Sequence, residues 1–275
     1  MVEYILATKF YNEKDQLPGL VENIAGQTIR PITFVFLDDG SIDNSAVIAV
    51  SEAKKHGLAA EVVALPKKKK GNLDTLGRIW TKAQPLLKMI SKDVKYIATI
   101  DVDTRVDSKY FENMINYLEN HPSIGVVAGQ ARNEPKRTFP MFAGKVFRSS
   151  ILQTIDKYWD ISIDSFINVK ALKMGYRLQI LDVPVDTPKT HLQTPKGRFR
   201  SGRLAYYVGT SILYVLAKGV LKSDAQYLRG YWSEWMRGSW ISTDSDIREY
   251  YSCEFRRRIL TFTRKLLEFP LGDLN

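Results

Sequence analysis

The stretch Ile32-Thr33-Phe34-Val35-Phe36-Leu37-Asp38-Asp39-Gly40-Ser41 decides the fold. Its first six residues are β-branched, aromatic or aliphatic, the composition of a buried strand. The run then stops in two carboxylates, a glycine and a serine. Asp43 or Ser45 supplies a cap for a helix over 46–55, which Gly57 closes. A strand that breaks into an acidic turn and a helix is half of a β-α-β unit. Outward from it, the same alternation predicts strands over 4–8, 61–65, 96–100 and 124–128. Helices are expected over about 14–25, 73–90 and 109–119.

Alternation of this kind implies the α/β class, a mostly parallel sheet flanked by helices. Ligands in such sheets bind beyond the carboxyl ends of the strands. Asp38 and Asp39, Asp101 and Asp103 all fall there. A D-x-D pair is weak on its own, and the chain has a second at Asp244 and Asp246, which reads as a helix N-cap. Asp101 and Asp103 differ because they close a strand, where two carboxylates can bind a hard divalent cation and through it a diphosphate.

Composition narrows the class of function. In 275 residues, 44% are hydrophobic and 25% charged, which excludes disordered, collagenous and coiled-coil chains. Forty Lys and Arg against 30 Asp and Glu give +10, a balance that favours anionic partners. One cysteine, Cys253, excludes an intrachain disulfide, and three scattered histidines share no metal-ligand spacing. Met1-Val2-Glu3 leads directly into the first strand, so no secretory signal is expected. The longest uncharged stretch of the C-terminal part, Leu204–Ala217, has fourteen residues, too few to span a bilayer unaided. The expected location is cytoplasmic, peripheral on the inner face of the membrane.

Four motifs in order carry a resemblance. Thr8-Lys9-Phe10-Tyr11-Asn12-Glu13 follows the first strand, and Phe36-Leu37-Asp38-Asp39-Gly40-Ser41-Ile42-Asp43 the second. Ile100-Asp101-Val102-Asp103-Thr104 closes the fourth, and Asp164 stands eleven residues before Gly175-Tyr176-Arg177. Together they resemble family 2 glycosyltransferases, inverting nucleotide-sugar enzymes of GT-A fold, over about residues 4–180. The resemblance implies a nucleotide-sugar donor and Mg²⁺ or Mn²⁺. Asp38 and Asp39 would meet the nucleoside, with Thr8, Tyr11 and Glu13 lining its pocket, and Asp101 would face the ribose. Asp103 would ligate the metal on the donor diphosphate, and Asp164 would be the general base for the acceptor. A metal can neutralise the charge that develops on a nucleoside diphosphate leaving group, and an alcohol nucleophile benefits from a positioned carboxylate.

The chain departs from the family pattern in two places. Ile163 stands where a glutamate usually precedes the catalytic aspartate, with Asp160 four residues earlier as either a substitute or an N-cap. Lys9 stands where proline is common, and it is either solvated or in contact with a phosphate. Lys67 to Lys70 form a basic run in a loop where relatives touch the donor; it is either a solvated charge run or, through Lys70, a donor contact.

From Lys196 to Asn275 the chain carries 14 basic against 8 acidic residues, a net of 14 − 8 = +6. Residues 1–200 are expected to form the catalytic domain and 201–275 a helical region. Arg198, Arg200 and Arg203 resemble a degenerate Q-x-x-R-W motif, and are expected to bind a phosphorylated acceptor or the donor diphosphate. His191 just upstream is a further candidate metal ligand. Leu204–Val220 reads as one apolar helix, buried or interfacial. Residues 255–267 alternate apolar and basic side chains, the pattern of a helix lying on an anionic membrane surface or at an oligomer interface.

The function expected is metal-dependent, inverting transfer of a sugar from a UDP- or GDP-sugar to a lipid-linked or glycan acceptor. The alternatives are a catalytically silent nucleotide-binding scaffold and a basic nucleic-acid-binding protein. The last leaves the ordered acidic motifs unexplained, so no nucleic-acid partner is expected, and a homo-oligomer is left open.

Overall fold

A computed structural model describes residues 2–66, 76–132, 139–141, 143–155, 163–188, 194–239 and 241–253. The chain divides into two compact units, 1–189 and 190–275.

The first unit is an α/β fold. Its order is β1 (Tyr4–Phe10), α1 (Leu17–Ala25), β2 (Thr33–Asp38), α2 (Ser45–Lys55), β3 (Ala60–Ala64), α3 (Leu76–Ile90) and β4 (Tyr96–Asp101). There follow β5 (Arg105–Val106), α4 (Tyr110–Asn120), β6 (Ile124–Ala131), β7 (Lys145–Arg148), α5 (Ser149–Gln153), α6 (Ile163–Lys173) and β8 (Arg177–Asp186). The sheet order is β3-β2-β1-β4-β7-β6-β8-β5. Parallel pairings outnumber antiparallel ones by four to three, because β7 runs against both β4 and β6 and β5 runs against β8. The sheet is therefore mixed, with the parallel block β3-β2-β1-β4 at the end that carries the acidic motifs.

The central strands are apolar on both faces because helices cover both. Leu6, Phe34, Phe36 and Ile100 pack with Leu20, Ile24 and Phe111 in a single buried cluster. The cap expected from Asp43 or Ser45 is built differently. Asn44 occupies the cap position at φ +66°, and Asp43 accepts hydrogen bonds from the backbone N–H and hydroxyl of Ser45.

Gly175 shows why its motif reads as it does. At φ +84° it lets Gly175 N–H reach the carbonyl of Leu172 while Tyr176 N–H reaches that of Ala171. This pair of hydrogen bonds closes α6 and turns the chain into β8. The neighbouring tyrosine fits only against a glycine: a Cβ on Gly125 would lie 2.6 Å from Tyr176 Cβ.

The second unit holds α7 (Pro195–Tyr207), α8 (Ile212–Leu221), α9 (Ala225–Met236) and α10 (Ser245–Ser252). The boundary expected at residue 200 falls inside α7, whose residues pack with α9 in this unit. The single helix expected over 204–220 is two helices. Gly209, at φ +74°, donates to Tyr206 while Thr210 donates to Ala205, ending α7 with the same left-handed closure. Asp244 caps α10 by accepting from Ile247 N–H at 3.1 Å, as the second D-x-D pair suggests. The basic segment 255–267 lies outside the described residues, as does the Lys67–Lys70 run.

Candidate active site

The carboxyl ends of β2, β1 and β4 lie side by side. Phe10 pairs in register with Asp38, and Lys9 with Asp101. The loop after β1 and the loop after β2 are stitched together by the side chains of Asn12, Ser41, Asp43 and Ser45. Asn12 N–H donates to Ser41 Oγ at 2.9 Å, and Glu13 N–H to Ser45 Oγ at 2.9 Å. Lys14 N–H donates to Asp43 Oδ2 at 3.2 Å, and Ile42 N–H to Asn12 Oδ1 at 2.8 Å. Ser41, Ser45 and Asp43 thus satisfy backbone donors of the first loop and Asn12 one of the second, which gives both loops one shape.

Within that frame Asp38 is buried, and its Oδ1 accepts from Ser41 N–H at 2.8 Å, so it shapes the turn. Asp39 is 1% exposed, and its N–H donates to the carbonyl of Phe10 at 2.9 Å. Its Oδ2 lies 3.4 Å from Lys9 Nζ. Lys9 is therefore not simply solvated: it offsets the charge of a buried aspartate. Thr8 is fully buried and donates its hydroxyl to the carbonyl of Ile100 at 2.8 Å, locking β1 to β4. Tyr11 is half-buried beside this frame.

Asp101 is half-buried at the end of β4, while Asp103 is exposed in the turn beyond it. Glu13 has a carboxyl held above its ordinary value, first by burial and then by the negative charges of Asp103 and Asp43. Acidic groups from three loops therefore repel one another here, a potential that a divalent cation relieves. Among the described residues no group of three or more His, Cys, Asp or Glu forms a metal cage. One or two carboxylates, completed by substrate phosphate oxygens, is the donor set that Mg²⁺ or Mn²⁺ takes in phosphate sites. The residues present fit such a metal.

Arg105 escaped the reading of the sequence. Its Nη1 donates to the carbonyls of Val102 and Thr104, both at 2.8 Å, and Nη2 to that of Gln16 at 3.2 Å. The guanidinium rests on Gly19, where a Cβ would lie 2.7 Å from Nη2. Arg105 thus ties the D-x-D turn to the start of α1, and the only sequence signal was a cation two residues past the motif. The Thr104 hydroxyl beside it is fully buried with no hydrogen-bond partner among the described residues.

The other expected site residues are placed as follows. Asp164 is the second residue of α6. Lys70, His191 and Asp160 lie outside the described residues. Arg198 Nη1 is 3.3 Å from Asp224 Oδ2, and Arg203 Nε donates to Glu234 Oε1 at 2.6 Å, so both face carboxylates of their own unit. Arg200 is exposed.

Comparison with known proteins places the fold. The mannosyltransferase PcManGT from Pyrobaculum calidifontis, in complex with GDP-Man and Mn²⁺, has a similar structure: TM-score 0.59, 18% identity, 74% of this chain covered. The chain spans 62% of the length of that protein. TarS of S. aureus, residues 1–349 in complex with UDP-GlcNAc, matches at TM-score 0.54 and 16% identity, over 84% of this chain and 73% of that one. Glucosyl-3-phosphoglycerate synthase from Mycobacterium tuberculosis, in complex with Mn²⁺, UDP and glucosyl-3-phosphoglycerate, matches at 0.53 and 10%, over 74% and 78%. Identities this low establish a shared GT-A fold. A search of curated protein sequences found no match. The model of glycosyl transferase family 2, however, matches residues 6–172, more than half the chain and the whole of the acidic frame. This chain belongs to glycosyl transferase family 2.

Proposed function

We propose that the protein is a metal-dependent, inverting glycosyltransferase that moves a sugar from a UDP- or GDP-sugar to a lipid-linked or glycan acceptor at the cytoplasmic face of a membrane. One observation carries this reading: Asp39, Asp101 and Asp103 lie at or just beyond the carboxyl ends of β2 and β4, the parallel strands on either side of β1, where Asp103 adds to the repulsion on Glu13. The solved structures with this fold bind GDP-Man, UDP or UDP-GlcNAc, which supports a nucleotide-sugar donor here.

In this reading Asp38 and Asp39 form the floor of the nucleoside pocket, with the β1 backbone around Thr8 and the ring of Tyr11 at its side. Asp101 accepts from the ribose. Asp103 holds the metal, with His191 as a second candidate ligand. Bound there, Mg²⁺ or Mn²⁺ neutralises charge on the leaving diphosphate. Asp164 takes the proton of the acceptor hydroxyl as its oxygen attacks the anomeric carbon from the face opposite the leaving group, which inverts that centre. Arg200 and Lys70 are the cations proposed to meet phosphate groups. Arg198 and Arg203 join them only if phosphate displaces Asp224 and Glu234.

Thermal stabilisation by UDP, GDP, CMP and ADP, each with and without Mn²⁺, tests the donor site. One diphosphate should stabilise the wild type in a Mn²⁺-dependent way and fail to stabilise Asp103→Asn. No stabilisation by any of them overturns the reading. Asp164→Asn should lose on the order of 10²–10⁴ in turnover with unchanged donor binding. A mild loss assigns the proton to another group or points to an acceptor that is already ionised.

A further inference from the structure

We infer that the solvent faces of α8 and α9 form a docking surface for an anionic lipid bilayer. The inference deepens the membrane-face reading above and rests on it. On α8, Leu213, Leu216 and Val220 follow at helical spacing and are all exposed, and Leu221 beside them is 85% exposed. On α9, Trp232, Trp235 and Met236 are likewise exposed. The two indoles lie together, with ring centroids 5.1 Å apart. Exposed large apolar side chains are ordinary when scattered; gathered on two consecutive helices they mark a contact surface.

Charge selects the occupant. Only two acidic residues lie between Ile212 and Gly238, and neither adds negative charge to this face. Asp224 caps α9 by accepting from Tyr227 N–H and lies 3.3 Å from Arg198. Glu234 is buried, where it binds Arg203 and the Ser239 hydroxyl. The exposed charges that remain on the two helices and their connection are Lys222 and Arg229; Arg237 is exposed as well, with its Nη1 3.5 Å from Glu234 Oε1. Arg229 precedes Trp232 by three residues and Met236 by seven, so cation, indole and thioether share one stripe of α9.

Indoles and aliphatic side chains framed by cations, with no outward carboxylate, complement the boundary between acyl chains and anionic headgroups. A second copy of the chain would bring like charges together across a two-fold axis. No described helix is long and apolar enough to cross a membrane, so contact here is with the surface.

The test is co-sedimentation of the full chain with vesicles of phosphatidylcholine, alone or with phosphatidylglycerol added to about a third. Tryptophan emission and nucleotide-induced thermal stabilisation are read on the same samples. The protein should bind the anionic vesicles at least about tenfold more tightly than the neutral ones, with a blue shift in emission. Trp232→Ser with Trp235→Ser, and separately Leu213→Ser with Leu216→Ser, should each weaken binding about tenfold or more. Arg229→Gln with Arg237→Gln should do the same for anionic vesicles only. Far-UV circular dichroism identifies any variant that fails to fold, and the remaining pairs then decide.

Absence of binding, equal binding to neutral vesicles, or wild-type binding by the folded variants overturns the proposal. So does a dimer that the tryptophan substitutions dissociate. Vesicle binding without nucleotide stabilisation would sink the donor reading and leave this surface standing; nucleotide stabilisation without vesicle binding would do the reverse.

Discussion

Lys9 Nζ and Asp39 Oδ2 lie 3.4 Å apart, joining the end of β1 to the turn after β2 beneath the nucleoside pocket proposed above. Asp39 is nearly inaccessible whereas the lysine side chain is 19% exposed, so the lysine reaches down from the rim to a buried carboxylate. Removing one member of such a pair costs more than the pair contributes, because the remaining charge stays buried. Lys9→Met should therefore lower stability by about 3 kcal/mol, the low end for a buried pair because the lysine is partly solvated. Lys9→Met with Asp39→Asn should recover much of that loss. Urea unfolding of the two variants checks it, and a double variant no more stable than Lys9→Met would show that the pair is not coupled.

Arg105 donates its hydrogen bonds in the D-x-D turn to main-chain carbonyls and its cation also feels the charge of Asp103, so it acts on Asp103 through both position and charge. Arg105→Met removes three charge-assisted hydrogen bonds at once and should cost about 2–3 kcal/mol. Stabilisation by nucleoside diphosphate and Mn²⁺ should also fall in the folded variant, because the turn that presents Asp103 is loosened. Gly19→Ala should act in the same direction but more weakly, since its Cβ meets the mobile end of the arginine side chain rather than backbone. Thermal shift with and without Mn²⁺ separates the two effects.

Acid and base should act oppositely on the two units. Glu13 has its carboxyl raised above 4.5 by burial and by Asp103 and Asp43, so the folded state binds its proton more tightly than the unfolded chain. The stability it contributes is complete below pH 4.5 and is lost as pH rises through the folded value. Glu13→Gln should thus stabilise the metal-free protein at pH 7, with the gain vanishing toward pH 4. For Glu234, burial pushes the carboxyl upward, but the Ser239 hydroxyl and the Arg203 and Arg237 guanidiniums hold it below 4.5. Its stabilisation is present above pH 4.5 and lost as pH falls through the lowered value. Melting curves of Glu13→Gln and Glu234→Gln between pH 3 and 8 should therefore diverge from wild type in opposite senses at neutral pH and approach it in acid.

What was legible in the sequence follows from how local the signal is. The parallel strands β1, β2 and β4 announce themselves because both faces are buried, so the apolar run is unbroken. β8 does not: exposed and half-buried positions mix along it, Pro184 interrupts it, and Asp182 and Asp186 lie within it. It is a strand through its register with β6, a contact more than forty residues away in sequence. The acidic motifs were readable because the strand ends that carry them are sequence features. The Lys9–Asp39 pair and the reach of Arg105 to Gln16 were not, since each depends on two loops meeting. Likewise Leu204–Val220 reads as one helix by hydropathy, and only the left-handed Gly209 divides it.

The second unit rests on a crossing in which α7 and α9 touch backbone to backbone. A Cβ on Gly202 would lie 2.0 Å from the carbonyl oxygen of Tyr227, and a Cβ on Gly230 would lie 2.0 Å from that of Phe199. Neither obstacle can rotate away, because both belong to helix backbone. In an exposed helix Gly→Ala stabilises through propensity by up to about 1 kcal/mol. Here the clash must force the helices apart, breaking the packing of Tyr206 on Tyr231 and the Arg203–Glu234 bond. Gly202→Ala and Gly230→Ala should each destabilise this unit by about 3 kcal/mol or more. The double variant should cost less than the sum, since one separation of the helices relieves both clashes. Proteolysis at the α7–α9 pair, followed in parallel with nucleotide-induced stabilisation of the first unit, measures it. Protection equal to wild type in either single variant would show that the helices do not cross this closely.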